Sequence, residues 1–357
     1  MARSDIVSQR LCNQHIAGTG FEKPGEVVKW MGAVQAQDYS GALWAVGLRT
    51  GNATRETIEQ AIADRTIVRT WPMRGTLHFV AAADARWMLK LLTPRVLANR
   101  RWLFRQLDLD DATFARCTEL VTNALQGGKQ LAREAMYKML EAGGIATANQ
   151  RGLHILGWLA QTGVICFGVR EGKQTTFVLL DEWLPKAKSL EREAALAELA
   201  KRYFTSHGPA TLQDFMWWSG LTTADAKAAI EMAKAHLVAE VIAGQTYWVS
   251  PSLPVEKEAS PTAHLLPPYD EYTIAYKDRS AVLNPLYGKQ AHSSNGIFFP
   301  TIALDGQIIA TWKRTLRKNT LLITPNYFAK LNKAQSHAVA EAANRYGNFL
   351  GISVVLP

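Results

Sequence analysis

The chain has 357 residues, of which 48% are hydrophobic, enough to fill the cores of two or three ordinary domains. Charged residues make up 20% and aromatic residues 9%, a composition that excludes wholesale disorder. The formal net charge is +9, so we expect a polyanionic partner, either nucleic acid or an anionic membrane face.

The first hundred residues predict three helices followed by a β-hairpin, which is the element order of a winged helix. Turn-forming residues at 38–41 are expected to end the second helix. The predicted helices cover 4–17, 24–37 and 54–63, and the predicted strands cover 67–71 and 76–80.

The same order of three helices and a hairpin returns twice further along the chain, without close sequence identity. The second set of helices covers 111–126, 131–143 and 148–163, with strands at 164–169 and 175–180. The third set covers 189–208, 211–220 and 223–236, with strands at 237–242 and 246–250.

The tail mixes apolar strands with one amphipathic helix near 326–346, after a stretch at 251–262 that is rich in proline and serine and typical of a linker. The predicted fold class is therefore α+β: three tandem winged-helix units and a C-terminal α+β unit, forming a concave basic cradle for DNA. The predicted domains are 1–108, 109–188 and 189–250, followed by the linker 251–262 and the C-terminal unit 263–357.

Gln35-Ala36-Gln37 is the sharpest local feature, at the end of the second predicted helix. The ordinary interpretation is a solvated polar helix end. Residues at i and i+2 of a helix face different ways, so both amides reach one ligand only if the helix is already unwinding there. The turn signals from Asp38 onward favour such unwinding.

Three segments carry a resemblance to a known family. The segment WMGAVQAQDYSGALWAVGLR (30–49) resembles the hallmark of the AlkZ/YcaQ superfamily of winged-helix DNA glycosylases. So do LLPPYDEYTIAYKDRS (265–280) and NGIFFPTIALDGQIIATWKR (295–314). A lone pair of glutamines would be unspecific, whereas three segments in the right order are not.

The resemblance implies a monofunctional glycosylase that removes alkylated purines, such as N7-alkylguanine and N3-alkyladenine, including bulky adducts and interstrand crosslinks. Gln35 and Gln37 would be its catalytic pair, in the two-glutamine version of the AlkZ branch rather than the aspartate version of the YcaQ branch. The implied partner is double-stranded DNA with alkylated bases, and no cofactor or metal is called for. We expect a monomer.

The chemistry is consistent with a neutral pair. Alkylation at guanine N7 or adenine N3 makes the base cationic, so it departs without a strong general acid. A water must then be placed under the anomeric carbon, and two amide oxygens can accept its hydrogen bonds. Such a pair is milder than an aspartate, so we expect activated lesions to react and normal bases to survive.

Four further residues are candidates for the lesion pocket. Asp38 is the nearest acid, although it is expected to cap the next turn of the chain. His78 lies on a predicted strand, where a hydrogen-bonded structural histidine is the alternative. Asp270 and Tyr272 belong to a dense polar cluster that equally suits a buried salt-bridge network.

Two runs of basic residues without acids suit phosphate contacts, which position a duplex without reading its sequence. A solvated basic face is the alternative for each run, and Trp102 and Phe104 within the first are expected in the core. The predicted DNA-binding residues are Arg74, Arg95, Arg100, Arg101, Arg105, Lys313, Arg314, Arg317 and Lys318.

The three cysteines are far apart, in no C-x-x-C motif and with no histidine at ligand spacing, so we expect reduced, buried thiols. The N-terminus lacks an apolar core of signal-peptide length, and no stretch approaches the ~18 apolar residues of a membrane span. These features predict a soluble, cytoplasmic protein that does not bind membranes.

Two alternatives to the glycosylase remain open from the residues. A winged-helix transcription regulator without catalysis would bind one operator and show little preference for damaged DNA. A structural scaffold in a repair assembly is the second alternative. The regulator predicts that replacing Gln35 and Gln37 is silent.

Overall fold

The computed structural model describes residues 3–185, 189–251, 260–318 and 320–357. The chain forms two compact units, one made of Met1–Glu59 and Leu196–Pro357 and the other of Gln60–Ala195. Both mix helices with β-strands, which confirms the predicted α+β class. Among the described residues, no helix has the length and apolar character needed to cross a membrane.

The chain begins with four helices and one short strand, and the fourth helix crosses from the first unit into the second after Glu59. Helix α2 starts at Pro24, a residue whose fixed φ suits the first helical turn, and it stops at Gly32, whose φ of 75° glycine adopts without strain. The elements are α1 (Arg3–Asn13), α2 (Pro24–Met31), β1 (Val34–Gln35), α3 (Tyr39–Leu48) and α4 (Arg55–Ala63).

The prediction of one helix continuing to Gln37 was therefore wrong. The chain is extended at Val34–Gln35, and a new helix follows where a turn was expected. Asp38 explains the new start, because its Oδ1 accepts a 2.6 Å hydrogen bond from the backbone amide of Gly41 and caps α3. Turn-forming residues here begin a helix instead of ending one.

The second unit has its own hydrophobic core, in which Phe114, Leu140, Ile155 and Phe177 are buried. Most of its buried residues come from four helices, at 101–106, 111–125, 133–142 and 151–161, and from strands at 76–81, 165–167 and 176–179. The elements are β2 (Ile67–Met73), β3 (Thr76–Ala81), α5 (Ala85–Asn99), α6 (Arg101–Gln106), α7 (Asp111–Leu125), β4 (Leu131–Ala132), α8 (Arg133–Ala142), α9 (Arg151–Gln161), β5 (Ile165–Phe167), β6 (Thr176–Leu179) and α10 (Leu180–Trp183).

The rest of the chain starts in the second unit and continues in the first. It contains three helices with a hairpin, then a five-stranded sheet with a long helix. The elements are α11 (Arg192–Ser206), α12 (Leu212–Ser219), α13 (Thr223–Ala233), β7 (Val238–Ile242), β8 (Gln245–Val249), β9 (Ala263–Leu266), α14 (Glu271–Ile274), α15 (Gly288–Ala291), β10 (Thr301–Leu304), β11 (Gln307–Arg317), β12 (Thr320–Tyr327), α16 (Lys333–Leu350) and β13 (Ser353–Val355).

The order of three helices and a hairpin recurs in α7 to β6 and in α11 to β8, close to the predicted bounds. The division of the whole chain into three winged-helix domains stays a prediction. The expected linker 251–262 falls largely on residues 252–259, which lie outside the described residues.

The C-terminal sheet has the strand order β13-β12-β11-β10-β9 and is antiparallel except between β12 and β13. Helix α16 contacts β9, β10 and β13, and also α3. It begins at Lys333 instead of near 326, because the chain up to Tyr327 pairs along β11 as a strand. Asn332 and Gln335 close a capping box at its start.

Candidate active site

The two glutamines lie between α2 and α3 of the first unit, Gln35 at the end of the short strand β1 and Gln37 in the bend that follows it. Gln35 is only 5% exposed, Ala36 is fully buried and Gln37 is exposed. The strand thus ends before Gln37, and the two glutamines differ in exposure. The convergence of their amides on one water stays a prediction.

Glu271 anchors this segment, and sequence reasoning missed it. Its Oε1 accepts a 2.9 Å hydrogen bond from the backbone amide of Gln35, and its Oε2 accepts a 3.0 Å bond from the Trp218 indole. The carboxylate is fully buried. Glu271 stands between Asp270 and Tyr272, the two candidates that were named, and its place in the same polar cluster of the family-like segment 265–280 was the available signal.

His207 lies behind the same carboxylate. Its Nε2 is 3.5 Å from Glu271 Oε2, longer than an ordinary hydrogen bond, and its Nδ1 is 2.8 Å from the Ser206 hydroxyl. Burial lowers the pKa of His207, although Glu271 opposes the shift. Burial thus favours the neutral form of the ring, and the two hydrogen bonds that the Glu271 carboxylate accepts come from uncharged donors, the Gln35 amide and the Trp218 indole.

Asp270 and Tyr272 belong to a buried structural network. Arg49 binds both carboxylate oxygens of Asp270, at 2.8 and 2.9 Å, and neither side chain reaches solvent. The Tyr272 hydroxyl donates a 2.8 Å bond to the backbone carbonyl of Gly306. Of the two interpretations offered by the sequence, this geometry favours the salt-bridge network over lesion contact, because these polar atoms are already engaged inside the unit.

A family model described as "DNA glycosylase AlkZ-like" matches residues 28–349, which include the two-glutamine segment, Asp270 and Glu271. The chain belongs to the AlkZ-like DNA glycosylase family. It is thus a DNA repair enzyme that acts on DNA, and the resemblance read from the sequence is confirmed.

Two further comparisons agree with this AlkZ-like assignment. An interstrand DNA cross-link repair glycosylase from Streptomyces sahachiroi is 26% identical, over 98% of this chain and 96% of that protein. The solved structure of the DNA glycosylase AlkZ from Streptomyces sahachiroi has a TM-score of 0.83 at 22% identity, and the match covers 100% of both chains. The second comparison shows a shared fold.

His78 and Arg74 of this AlkZ-like chain form a pair in the second unit. His78 is fully buried on β3; its Nδ1 donates a 3.0 Å bond to the Thr76 carbonyl, and its Nε2 accepts one of 3.3 Å from Arg74. Burial lowers the pKa of His78 well below 6.5, and the Arg74 charge lowers it further. The imidazole is neutral, and its place in a lesion pocket stays a prediction.

The predicted DNA-binding cations fall into two groups. In the second unit, Arg95, Arg101 and Arg105 are exposed, whereas Arg100 is half-buried and its guanidinium lies 3.5 Å from the Gly75 carbonyl. Trp102 is 57% exposed, so its expected place in the core was wrong, while Phe104 is buried as expected. In the first unit, the exposed cations of the β11–β12 hairpin are Lys313, Arg314, Arg317 and Lys318.

The three cysteines are free thiols that lie wholly or partly inside the protein. Cys117 and Cys166 are buried, as expected, and Cys12 is half-buried. Burial raises the pKa of the Cys117 thiol to about 11. A thiol of this kind is a poor nucleophile, because it is the thiolate that reacts.

Proposed function

We propose that this enzyme hydrolyses the N-glycosidic bond of alkylated purines in duplex DNA, among them N7-alkylguanine and N3-alkyladenine, and leaves an abasic site. Gln35 and Gln37 orient the attacking water. The observation that supports this role is the anchoring of the Gln35 backbone by the buried Glu271, next to an exposed Gln37. A rigid backbone is what positioning of a water requires, since a shift of about 1 Å can cost ~100-fold in rate.

The proposed step needs little from the protein. The alkylated base carries a positive charge, so the bond between N9 and the anomeric carbon breaks with the electron pair leaving on the base. A water held by the two side-chain carbonyl oxygens adds to the anomeric carbon and loses a proton to solvent. The amides supply orientation and partial negative charge beside the developing oxocarbenium ion.

Neutral amides also account for selectivity. A carboxylate would stabilise the cationic transition state more strongly and would act as a general base. With two amides, bond cleavage depends mainly on the positive charge of the alkylated base. An unmodified purine lacks this charge and must be protonated before it leaves, so it stays in place. The lower catalytic power thus protects normal DNA.

Interstrand crosslinks are included in the proposal. The name of the Streptomyces sahachiroi relative, an interstrand DNA cross-link repair glycosylase, supports this. Each half of a crosslink at guanine N7 is a cationic base, so the same chemistry releases one strand. The two groups of exposed cations would bind phosphates without reading sequence.

The test is incubation with duplex DNA that carries a single 7-methylguanine, followed by alkaline cleavage of abasic sites. We expect Gln35→Ala and Gln37→Ala each to slow single-turnover release by at least ~100-fold while DNA affinity and the circular dichroism spectrum stay unchanged. Gln245→Ala, an exposed glutamine on β8, is the control and should release the base at the wild-type rate. Equal rates for the wild type and the double variant would remove both glutamines from the mechanism.

A further inference from the structure

A cavity of about 1110 Å³ lies in the second unit, among α5, α6, α7 and α9. All of its lining residues belong to this unit. The volume is just above the ~300–1,000 Å³ that is typical of small-molecule sites, so the cavity has room for a ligand of that class. Its apolar wall includes residues from all four helices: Leu89, Leu97, Phe104, Phe114 and Trp158.

Ring packing holds the aromatic part of this wall in place. Phe114 and Trp158 are stacked with their centroids 4.3 Å apart, and Phe104 meets Phe114 edge-on at 5.2 Å. Thr93 connects α5 to the end of α9, since its hydroxyl lies 2.8 Å from the backbone carbonyl oxygen of Gln161. A wall formed in advance reduces the ordering cost of binding a ligand.

Gln161 places an unsatisfied amide in this lining. The residue is only 1% exposed, and neither its Oε1 nor its Nε2 has a hydrogen-bond partner among the described residues. A buried polar group without a partner is costly, and native proteins rarely retain one without a reason. The amide offers an acceptor and a donor side by side, so a ligand with an adjacent donor and acceptor would satisfy it.

Positive charge predominates among the charged residues that line the cavity. Arg101 and Arg105 lie one turn apart on α6, are exposed and form no ion pair within the described part of the chain. One of the acids, Asp110, already accepts a 2.8 Å bond from the Thr113 amide. Two neighbouring guanidinium groups suit a phosphate, whose oxygens accept bonds from their forked donors. The charged lining residues are Arg86, Lys90, Arg101, Arg105, Asp110 and Asp111.

We infer that this cavity binds a purine nucleotide. Gln161 pairs with the edge of the base, the apolar wall covers the rings, and Arg101 and Arg105 bind the phosphate. Glutamine pairs in this way with adenine, whose N6 amino group and N7 are an adjacent donor and acceptor. A free nucleotide and an unpaired nucleotide of a DNA strand share this chemistry. The site adds nucleotide binding to the proposed base release and does not depend on it.

The first test measures the binding of deoxyadenosine monophosphate (dAMP) by isothermal titration calorimetry. We expect Gln161→Leu, which removes the amide at similar side-chain volume, to weaken binding by about 5- to 140-fold, the contribution of a bidentate base contact. Its resistance to urea should be equal to that of the wild type or higher, because an unsatisfied buried group is removed.

Gln126→Leu, at an exposed position outside the cavity, is the matched control and should keep the wild-type affinity for dAMP. The inference would be overturned if the wild type failed to bind dAMP, or if Gln161→Leu bound it as tightly as the wild type. A loss of stability in Gln161→Leu would likewise overturn it, since the amide would then have a structural partner.

A comparison of dAMP with deoxyadenosine tests the phosphate contact. Arg101→Ala/Arg105→Ala should weaken the binding of dAMP by at least ~10-fold and leave deoxyadenosine, which lacks the phosphate, unaffected. The control Arg133→Ala/Lys138→Ala removes the same charge at exposed positions of the second unit outside the cavity and should affect neither ligand. An equal loss in both double variants would overturn a nucleotide as the ligand.

A duplex with one unpaired adenine distinguishes the two sources of the nucleotide. Fluorescence anisotropy compares it with the same duplex carrying an abasic site at the bulge. If Gln161→Leu weakens binding of the adenine bulge alone, the cavity takes a nucleotide of the strand; if only dAMP responds, it takes a free nucleotide. A variant that lowers neither affinity would overturn the inference. None of these measurements involves base release, so a failure of the proposed glycosylase function would be seen separately.

Discussion

The backbone amide of Gln35 donates a 2.9 Å hydrogen bond to Oε1 of Glu271, 236 residues further along the chain. The carboxylate is fully buried and its other oxygen accepts a bond from the Trp218 indole. Three segments that are distant in sequence, around Gln35, Trp218 and Glu271, therefore meet at this one carboxylate. We regard Glu271 as a positioning residue, because it contacts the backbone of Gln35 and not the reacting atoms.

Replacing Glu271 by glutamine should lower both stability and rate. The glutamine side chain has only one oxygen, so its NH₂ group would face either the Gln35 amide or the Trp218 indole, both of which are donors. A buried donor left without an acceptor costs about 1–3 kcal/mol. The freed Gln35 backbone should also slow single-turnover base release by ~10- to 100-fold with little change in KM or DNA affinity. Rates are measured well below the melting temperature and normalised to folded protein.

Asp84→Asn is the matched control for Glu271→Gln. Asp84 is also a buried carboxylate that accepts a bond from an indole, that of Trp87, but it lies in the second unit. It should lose stability without losing rate per folded molecule. If both variants lost rate to the same degree, the slower release would reflect general destabilisation and the positioning role would be rejected.

Breaking the Arg49–Asp270 ion pair should strongly destabilise the first unit. Asp270→Ala leaves the Arg49 charge buried without its partner, a change that typically costs about 3–5 kcal/mol. Urea unfolding measures this loss, and the binding of 7-methylguanine duplex by the folded fraction should not change. A loss below about 1 kcal/mol together with weaker lesion binding would instead restore Asp270 to the lesion pocket.

Stability should fall as the pH decreases from 7 to 5. The folded chain keeps His78 neutral because burial lowers the pKa of its ring well below 6.5, whereas the unfolded chain protonates it near that value. The unfolded state therefore binds more protons, and the unfolding free energy drops by up to about 1.4 kcal/mol per pH unit for each such histidine. His207 shifts in the same direction and adds to the slope.

His78→Asn should flatten this pH dependence, since asparagine carries a donor and an acceptor but does not titrate. Urea unfolding at pH 5, 6 and 7 at constant ionic strength measures the slope. His236→Asn, at an exposed position, is the control and should keep the wild-type slope. Identical slopes for all three proteins would contradict the neutral, buried state of His78.

The β11–β12 hairpin should contribute to the salt dependence of DNA binding. The test variant is Lys313→Ala/Arg317→Ala/Lys318→Ala. Each phosphate contact contributes about 0.9 to the slope of log K against log salt, so this variant should reduce the magnitude of the slope by up to about 2.7. Fluorescence anisotropy between about 50 and 200 mM salt measures the slope. The control is Lys201→Ala/Lys227→Ala/Lys234→Ala, and an equal change in both triples would show that only net charge matters.

The amino-acid sequence by itself determined the class of enzyme and most of the elements. The net charge of +9 pointed to a polyanion, and the two glutamines, set among family-like segments, pointed to a glycosylase. Most helices and hairpins lie close to their predicted bounds, because caps, turns and hydrophobic spacing act over a few neighbouring residues. Asp38 was expected to act as a cap for the next residues of the chain, and it caps α3.

The tertiary structure decided how those residues are used. Helix α2 stops at Met31 and leaves Gln35 on an extended chain, while Glu271 and Asp270 are buried against partners more than 200 residues away. Local patterns do not reveal such partners, because the burial of an acid depends on which distant segments pack around it. The exposure of Trp102 has the same origin, since whether an aromatic side chain is covered depends on the packing of the rest of the chain.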